Sequence, residues 1–246
     1  MVDSSRRAPV SAVSAHVVSI EDLGRDILRL YLAVAPGATF AYQAGEYVDL
    51  ILQDGKKRTY SIANAPVATG GVEFHIRDIE GGLFAGLLQD HLAQRREVTI
   101  EGPYGAFNFN ATTAQPLLLL AGGTGFAPIK ALVEQALTQP LQRPLHLYWG
   151  ARTQADLYLD PLVRHWATTS SAMIHYTPVL SDPEAIPPWY GRVGYLHEAV
   201  LQDFSLFDGV EVYASGPLPM VKSIYASLVT RGLRQEAFYS DIWPLS

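Results

Sequence analysis

The chain has 246 residues, 48% of them hydrophobic, enough for two domains of ordinary size, each with its own core. Its 18 basic and 24 acidic side chains leave a formal charge of −6 spread along the sequence, so nucleic acid and anionic membrane surfaces are poor partners. It contains no cysteine, which removes disulfides, cysteine-ligated zinc, thiolate catalysis and iron–sulfur ligation within this sequence, and no metal-ligand pattern stands out in their place.

At the N-terminus Arg6 and Arg7 precede PVSAVSAHVV, a run interrupted by Ser and His and a weak core for a signal peptide. The longest apolar runs, such as LLLLAGG, fall far short of the roughly 20 residues a membrane helix needs. The expectation is a soluble, cytoplasmic protein.

Up to about residue 110 the pattern is short β-like runs: Ala12 to Ser19, Ile27 to Val34, Tyr47 to Leu52, Gly71 to Arg77 and Glu97 to Glu101. PG, DG, GG and GP turns punctuate them, and the spacing predicts a small antiparallel β-barrel. Within this half, residues 57–64 read KRTYSIAN, too polar for a core strand and too regular in alternation for a careless loop. From Pro116 onward the pattern becomes apolar strand, Gly-rich turn, helix, strand: PLLLLAGGTGF, APIKALVEQALTQ, PLHLYWGAR. Such alternation builds a parallel α/β sheet with right-handed crossovers. The small, polar stretch Asn110 to Gln115 marks the boundary, giving a β-barrel domain over 1–112 and an α/β nucleotide-binding domain over 113–246.

The run of leucines ends in Gly122, Gly123, Thr124 and Gly125, and a helical pattern starts around Pro128. Glycines there let backbone N–H groups approach a phosphate, with the positive end of a helix behind them. The spacing is not G-x-G-x-x-G, so a tight turn that binds nothing stays open on this segment alone. A second turn, Ser215, Gly216 and Pro217, follows the strand VEVYAS. Two such turns side by side at the C-terminal edge of a parallel sheet occupy the ligand position of doubly wound folds.

Taken in order, KRTYSIAN, EFHIRDIEGGLFAGLL, VTIEGPYGAFNF, LAGGTGFAPIKAL, YASGPLPMV and the terminal FYSDIW resemble the ferredoxin–NADP reductase superfamily over nearly the whole chain. The resemblance is closest to single-chain NAD(P)H–flavin reductases and to reductase modules of bacterial oxygenases. It implies an N-terminal flavin-binding barrel, a C-terminal NAD(P)-binding domain, and FAD (or FMN) with NADH or NADPH as cofactors. By position Arg58 meets the flavin phosphates, Tyr60 packs on the isoalloxazine or ribityl chain, and Ser61 offers its hydroxyl near flavin N5 as the catalytic residue, with Thr59 between them in the same segment. An anionic tail wants a guanidinium, a flat ring an aromatic wall, and N5 a small hydrogen-bond partner. Further flavin contacts are implied for His75, Ile76 and Arg77 and for the turn Gly81, Gly82, Leu83 and Phe84.

Two departures stand out. Ala85 occupies a place where the family commonly has a phosphate-binding Ser or Thr, which points to a loosely held flavin; Ser215 replaces a common cysteine near the nicotinamide. Hydride transfer needs no thiol there, because the two cofactors react while the protein aligns them. Arg152, after the strand LHLYWG, is expected at the adenosine ribose, and no acidic residue stands at that strand end to hold a free 2′-hydroxyl, leaving NADH with tolerance of NADPH. In the tail, Phe238, Tyr239, Asp241 or Trp243 face the flavin or pack as core. The resemblance implies hydride transfer from NAD(P)H to flavin at the inter-domain cleft, supplying reduced flavin to a partner enzyme. The alternative is bound FAD passing electrons to a separate monooxygenase, ferredoxin or haem protein, since this sequence has no ligands for a fused iron–sulfur domain. A redox-silent sensor on the same fold is a third reading.

Overall fold

The computed structural model describes residues 10–52, 55–68, 70–77, 97–108, 113–138, 143–170, 173–182, 189 and 191–242. The first half forms an antiparallel sheet of β1 (Ser11–Asp22), β2 (Ile27–Val34), β3 (Tyr47–Ile51), β4 (Lys57–Ser61), β5 (Gly71–Arg77) and β6 (Glu97–Tyr104), in the order β4-β3-β6-β1-β2-β5. The sheet curls until its two edges nearly meet. Ile62 N donates to Glu46 O at 2.9 Å and Ala63 N to Glu73 O at 2.8 Å, so the chain leaving β4 bonds to β5. Alternate residues point inward, and Leu30, Leu32, Val48, Leu50, Phe74 and Ile100 fill the interior with no exposed surface.

Two elements differ from the sequence reading. β6 runs through Gly102 and Pro103 to Tyr104, where a turn is expected at GP; Gly102 takes a positive φ of +156 there and the strand continues past it. Lys57–Ser61, absent from the expected strands, is an edge strand paired only to β3 along its length. An edge strand with an exposed first half needs no apolar alternation, which is why its polarity hides it.

The second half is a parallel sheet of β7 (Leu117–Gly122), β8 (Leu145–Ala151), β9 (Ile174–Leu180), β10 (Arg192–Val193), β11 (Glu211–Ser215) and β12 (Phe238–Ser240), in the order β10-β9-β8-β7-β11-β12. Helices α1 (Phe126–Thr138) and α2 (Asp160–Thr169) cover one face, α3 (Leu196–Asp203) and α4 (Leu218–Val229) the other. Central β7 is buried on both: Leu117, Leu119 and Ala121 join one core, Leu118 and Leu120 the other. That is why it reads as an unbroken leucine run. The strand order reverses between β7 and β11, the crevice where open α/β sheets bind ligands.

The two halves share packing. Ala44 and Phe107, from the barrel side, belong to the core under α1, and the Phe107 ring meets Tyr213 of β11 edge to face at 5.5 Å. Gly45 permits this approach, since a Cβ there would lie 1.9 Å from Phe107 O. Among the described residues no helix is long and apolar enough to cross a membrane.

Candidate active site

The two glycine turns meet at the strand-order reversal. Gly123–Gly125 is a single 3-10 turn that merges into α1 at Phe126, two residues before the Pro128 start expected from sequence. A Cβ on Gly125 would fall 2.3 Å from Ser215 O, and one on Gly216 (φ +146) would fall 2.9 Å from Gly122 Cα. Both glycines therefore let one turn pack against the other. Gly123 (φ +53) is different: a Cβ there would find only Arg77 Nη2, at 3.6 Å. An open glycine turn at a helix start, with a guanidinium from the barrel beside it, is the donor set a pyrophosphate needs. Trp149 holds the turn by donating from Nε1 to Gly123 O at 3.1 Å, and stacks on Phe126 with ring centres 3.9 Å apart.

On β4 the two-residue period splits the predicted segment. Arg58 and Tyr60 lie on one face, where Tyr60 packs on the barrel core with its ring 6.5 Å from Phe74 and burial pushes its phenol up to about 12. The Arg58 guanidinium donates to Lys57 O at 2.8 Å. Thr59 and Ser61 lie on the other face and line a cavity of about 500 Å³ with Tyr47, Tyr104, Asp241 and Ile242. Asp49 lines it too, and Tyr104 in its wall donates to Glu101 at 2.8 Å. Lys57 reaches Asp49 at 2.7 Å and Glu101 at 2.9 Å, and Thr59 donates to Asp49. Burial would raise the Asp49 carboxyl, but the bonds from Lys57 and Thr59 hold it below the ordinary value.

Asp241 follows β12 and closes the same cavity from the α/β side. Ser215 Oγ donates to its Oδ2 at 2.7 Å. Its Oδ1 is buried and meets no hydrogen-bond partner among the described residues. Burial pushes its carboxyl up to about 6, with the Ser215 bond and a bond to its own backbone pulling the other way. Of the other tail residues, Phe238 is buried in the core under α4, and Tyr239 stacks on Tyr213 at 4.6 Å. Trp243 lies outside the described residues, as do Gly81, Gly82, Leu83, Phe84 and Ala85.

Residues 14–109 match the oxidoreductase FAD-binding domain model and residues 119–225 the oxidoreductase NAD-binding domain model. An Amycolatopsis cytochrome P450 reductase of known structure superposes with a TM-score of 0.85 at 30% identity, over 98% of this chain and 72% of that one. The chain belongs to the ferredoxin-reductase family. Within it, the CDP-6-deoxy-L-threo-D-glycero-4-hexulose-3-dehydrase reductase of Yersinia pestis is 40% identical over 91% of this chain; the chain spans 66% of that relative's length. An NAD(P)H-flavin reductase of Aliivibrio fischeri is 28% identical over 93% of this chain and 97% of its own length.

The site fits the family's two cofactors. Asp241, one of whose carboxyl oxygens is buried without a partner among the described residues, lines a cavity walled by two tyrosines, and an open glycine turn faces a guanidinium. The predicted β5 residues divide. Arg77 reaches the turn, Ile76 is barrel core, and the His75 ring is buried with both nitrogens engaged, Nε2 with Glu73 at 2.9 Å and Nδ1 with Tyr158 at 2.9 Å. Burial lowers the His75 pKa, so the neutral ring donates from Nε2 to the carboxylate and accepts from the tyrosine.

Sequence reasoning missed several partners. An acidic residue does stand at the expected ribose site: Asp182, from just past the end of β9, pairs with Arg152 at 3.3 Å and donates its backbone N–H to Arg152 O at 2.9 Å. It is 30 positions away and reaches Arg152 only because β8 and β9 are neighbours in register. Lys130, Glu73, Glu134 and Tyr158 also escaped notice.

Proposed function

We propose that this chain transfers hydride from NAD(P)H to FAD in the cleft between barrel and sheet, the domains being 1–112 and 113–246. When bound, FAD supplies a two-electron acceptor that can release its electrons singly. What supports the reading is one convergence: Ser61 on the barrel and Asp241 beyond the parallel sheet line a single cavity, and Asp241 is tied to Ser215 beside the glycine turn.

In this reading Gly122, Gly123, Thr124 and Gly125 take the coenzyme pyrophosphate on backbone amides, with Arg77 adding charge, while Gly216 and Pro217 shape the facing turn. Ser61 donates its hydroxyl to the acceptor's reacting edge. Asp241, neutral below about pH 6, holds a proton beside the cavity, and Ser215 fixes its orientation. Arg58, Thr59 and Tyr60 position the flavin, with His75, Ile76 and Gly81, Gly82, Leu83 and Phe84 completing its seat. Arg152, held by Asp182, meets the adenosine ribose and favours NADH.

The electrons then pass to a separate cytoplasmic partner, a monooxygenase, ferredoxin or haem protein, a reading supported by the similarity to an Amycolatopsis cytochrome P450 reductase. Ala85 favours a second outcome, departure of reduced flavin, because it lacks the hydroxyl that would bond the phosphates. Dialysis of the FAD-loaded protein separates them: retained stoichiometric FAD supports the bound-flavin route, and a colourless protein that still oxidises NADH when FAD is added supports the other. A protein that oxidises no NADH under either condition contradicts the proposed activity.

A further inference from the structure

Lys130 is a lysine in the interior. It sits on α1 five residues after Gly125, and is 3% exposed. An ammonium has three N–H donors, and all three are used: Ala63 O at 3.0 Å, Glu73 Oε2 at 3.2 Å and Glu134 Oε1 at 2.7 Å. The first two acceptors belong to the barrel, the third to Lys130's own helix. Glu134 Oε2 in turn accepts from Ala65 N at 3.0 Å, and Tyr158 bonds His75 across the same boundary. Burial alone would raise the Glu73 carboxyl, yet the His75 bond and the Lys130 charge hold it below the ordinary range.

Buried ion pairs are weak contributors to stability, because desolvation offsets their attraction; their better-attested use is to fix one arrangement among several. Here the arrangement is that of β5 against α1. β5 carries His75, Ile76 and Arg77 at the flavin side, and α1 begins at the coenzyme turn. An apolar contact tolerates sliding by a fraction of a residue. A three-donor ammonium saturated by acceptors on both sides does not.

We propose that Lys130 is a positioning residue: with Glu73 and Glu134 it forms a latch that sets the register of the α/β domain on the barrel, and with it the alignment of the nicotinamide and flavin sites. The latch rests on the hydride-transfer reading for its kinetic consequence but not for its structural one. Misplacement of reacting groups by about 1 Å costs on the order of 100-fold in rate, so a latch of this kind is felt in the limiting rate rather than in coenzyme affinity.

The test uses Lys130→Met combined with Glu73→Gln, which removes the ammonium together with its barrel carboxylate, keeps an acceptor for His75 at residue 73, and leaves the partly exposed Glu134 its bond from Ala65 N. The absence of cysteine allows clean spin labelling at Val18→Cys on the barrel and Leu206→Cys on the α/β side, positions 52% and 72% exposed. Expected are a melting temperature close to that of the parent, a broadened inter-label distance distribution in the cofactor-free protein, and a limiting rate of flavin reduction lowered roughly 100-fold with the NADH dissociation constant within about threefold. An unchanged distance distribution overturns the latch, as does an unchanged limiting rate. If the double variant does not fold, Lys130→Gln, which removes the ammonium charge and its third donor, carries both measurements under the same criteria. Should the parent itself reduce no FAD with NADH, the activity reading fails, while the distance measurement still decides the latch.

Discussion

Ser215 and Asp241, 26 positions apart in sequence, are joined by a 2.7 Å hydrogen bond that closes the sheet end of the cavity lined by Ser61. The bond gives Asp241 one satisfied oxygen and leaves Oδ1 buried without a partner among the described residues. Burial raises its carboxyl to about 6, so the group changes charge near neutrality rather than in the ordinary carboxylate range.

The sign of the resulting pH dependence follows from linkage. A carboxyl whose folded pKa is raised contributes stability that is full below its unfolded pKa, near 4, and is lost as pH rises through about 6. Asp241→Asn should therefore gain on the parent by roughly 2 kcal/mol at pH 7.5 relative to pH 4. Paired thermal melts at the two pH values check it. Equal differences at both would mean the carboxyl is not held protonated by its surroundings. The parent's flavin-reduction rate should fall as pH rises through about 6, where Asp241 gives up its proton, and that of Asp241→Asn should not.

Ser61→Ala should slow hydride transfer by about 100-fold while leaving FAD affinity within twofold, the size of effect seen when one preorganised donor is removed from a reacting centre. Rapid-mixing measurements of flavin reduction by NADH, with a separate FAD titration, read the two quantities independently.

Arg58→Ala should separate flavins by their tails. Loss of a charge-assisted bond to phosphate costs about 1.5–3 kcal/mol for FMN and FAD and leaves riboflavin, which has no phosphate, almost unaffected. Fluorescence titrations with the three flavins check it; equal weakening of all three would assign Arg58 to the barrel instead.

Much of the fold is legible because periodicity reports burial. β7 reads as apolar throughout because helices cover both its faces, and β2 alternates because only one of its faces meets the barrel core. The inter-domain network is illegible for the same reason. On β5, Val72, Phe74 and Ile76 form the apolar face, so Glu73, His75 and Arg77 read as the solvent face. Lys130 and Glu134, four apart on α1, read as an ordinary surface pair. A second domain covers both polar faces, and no local pattern announces a cover supplied from elsewhere in the chain. The glycine turns were legible as turns, but sequence could not tell Gly125, which packs against Ser215, from Gly123, which opens toward Arg77. Gly125→Val consequently tests the fold of the turn, and should lower the melting temperature whatever it does to NADH.

Coenzyme choice rests on the exposed Arg152–Asp182 pair. Asp182→Asn removes the carboxylate that neutralises Arg152 and would repel a 2′-phosphate. It should improve kcat/KM for NADPH by roughly tenfold and lower that for NADH less than threefold. Steady-state kinetics with both coenzymes check it, and an unchanged ratio would place the ribose elsewhere.

The most direct test of the account is anaerobic rapid mixing of the FAD-loaded protein with NADH, followed by loss of the oxidised flavin absorbance. Hydride transfer in the cleft predicts bleaching in one main phase whose rate saturates with NADH and falls severalfold when the transferred C4 hydrogen is deuterium. A folded protein that binds both FAD and NADH yet shows no bleaching would contradict it.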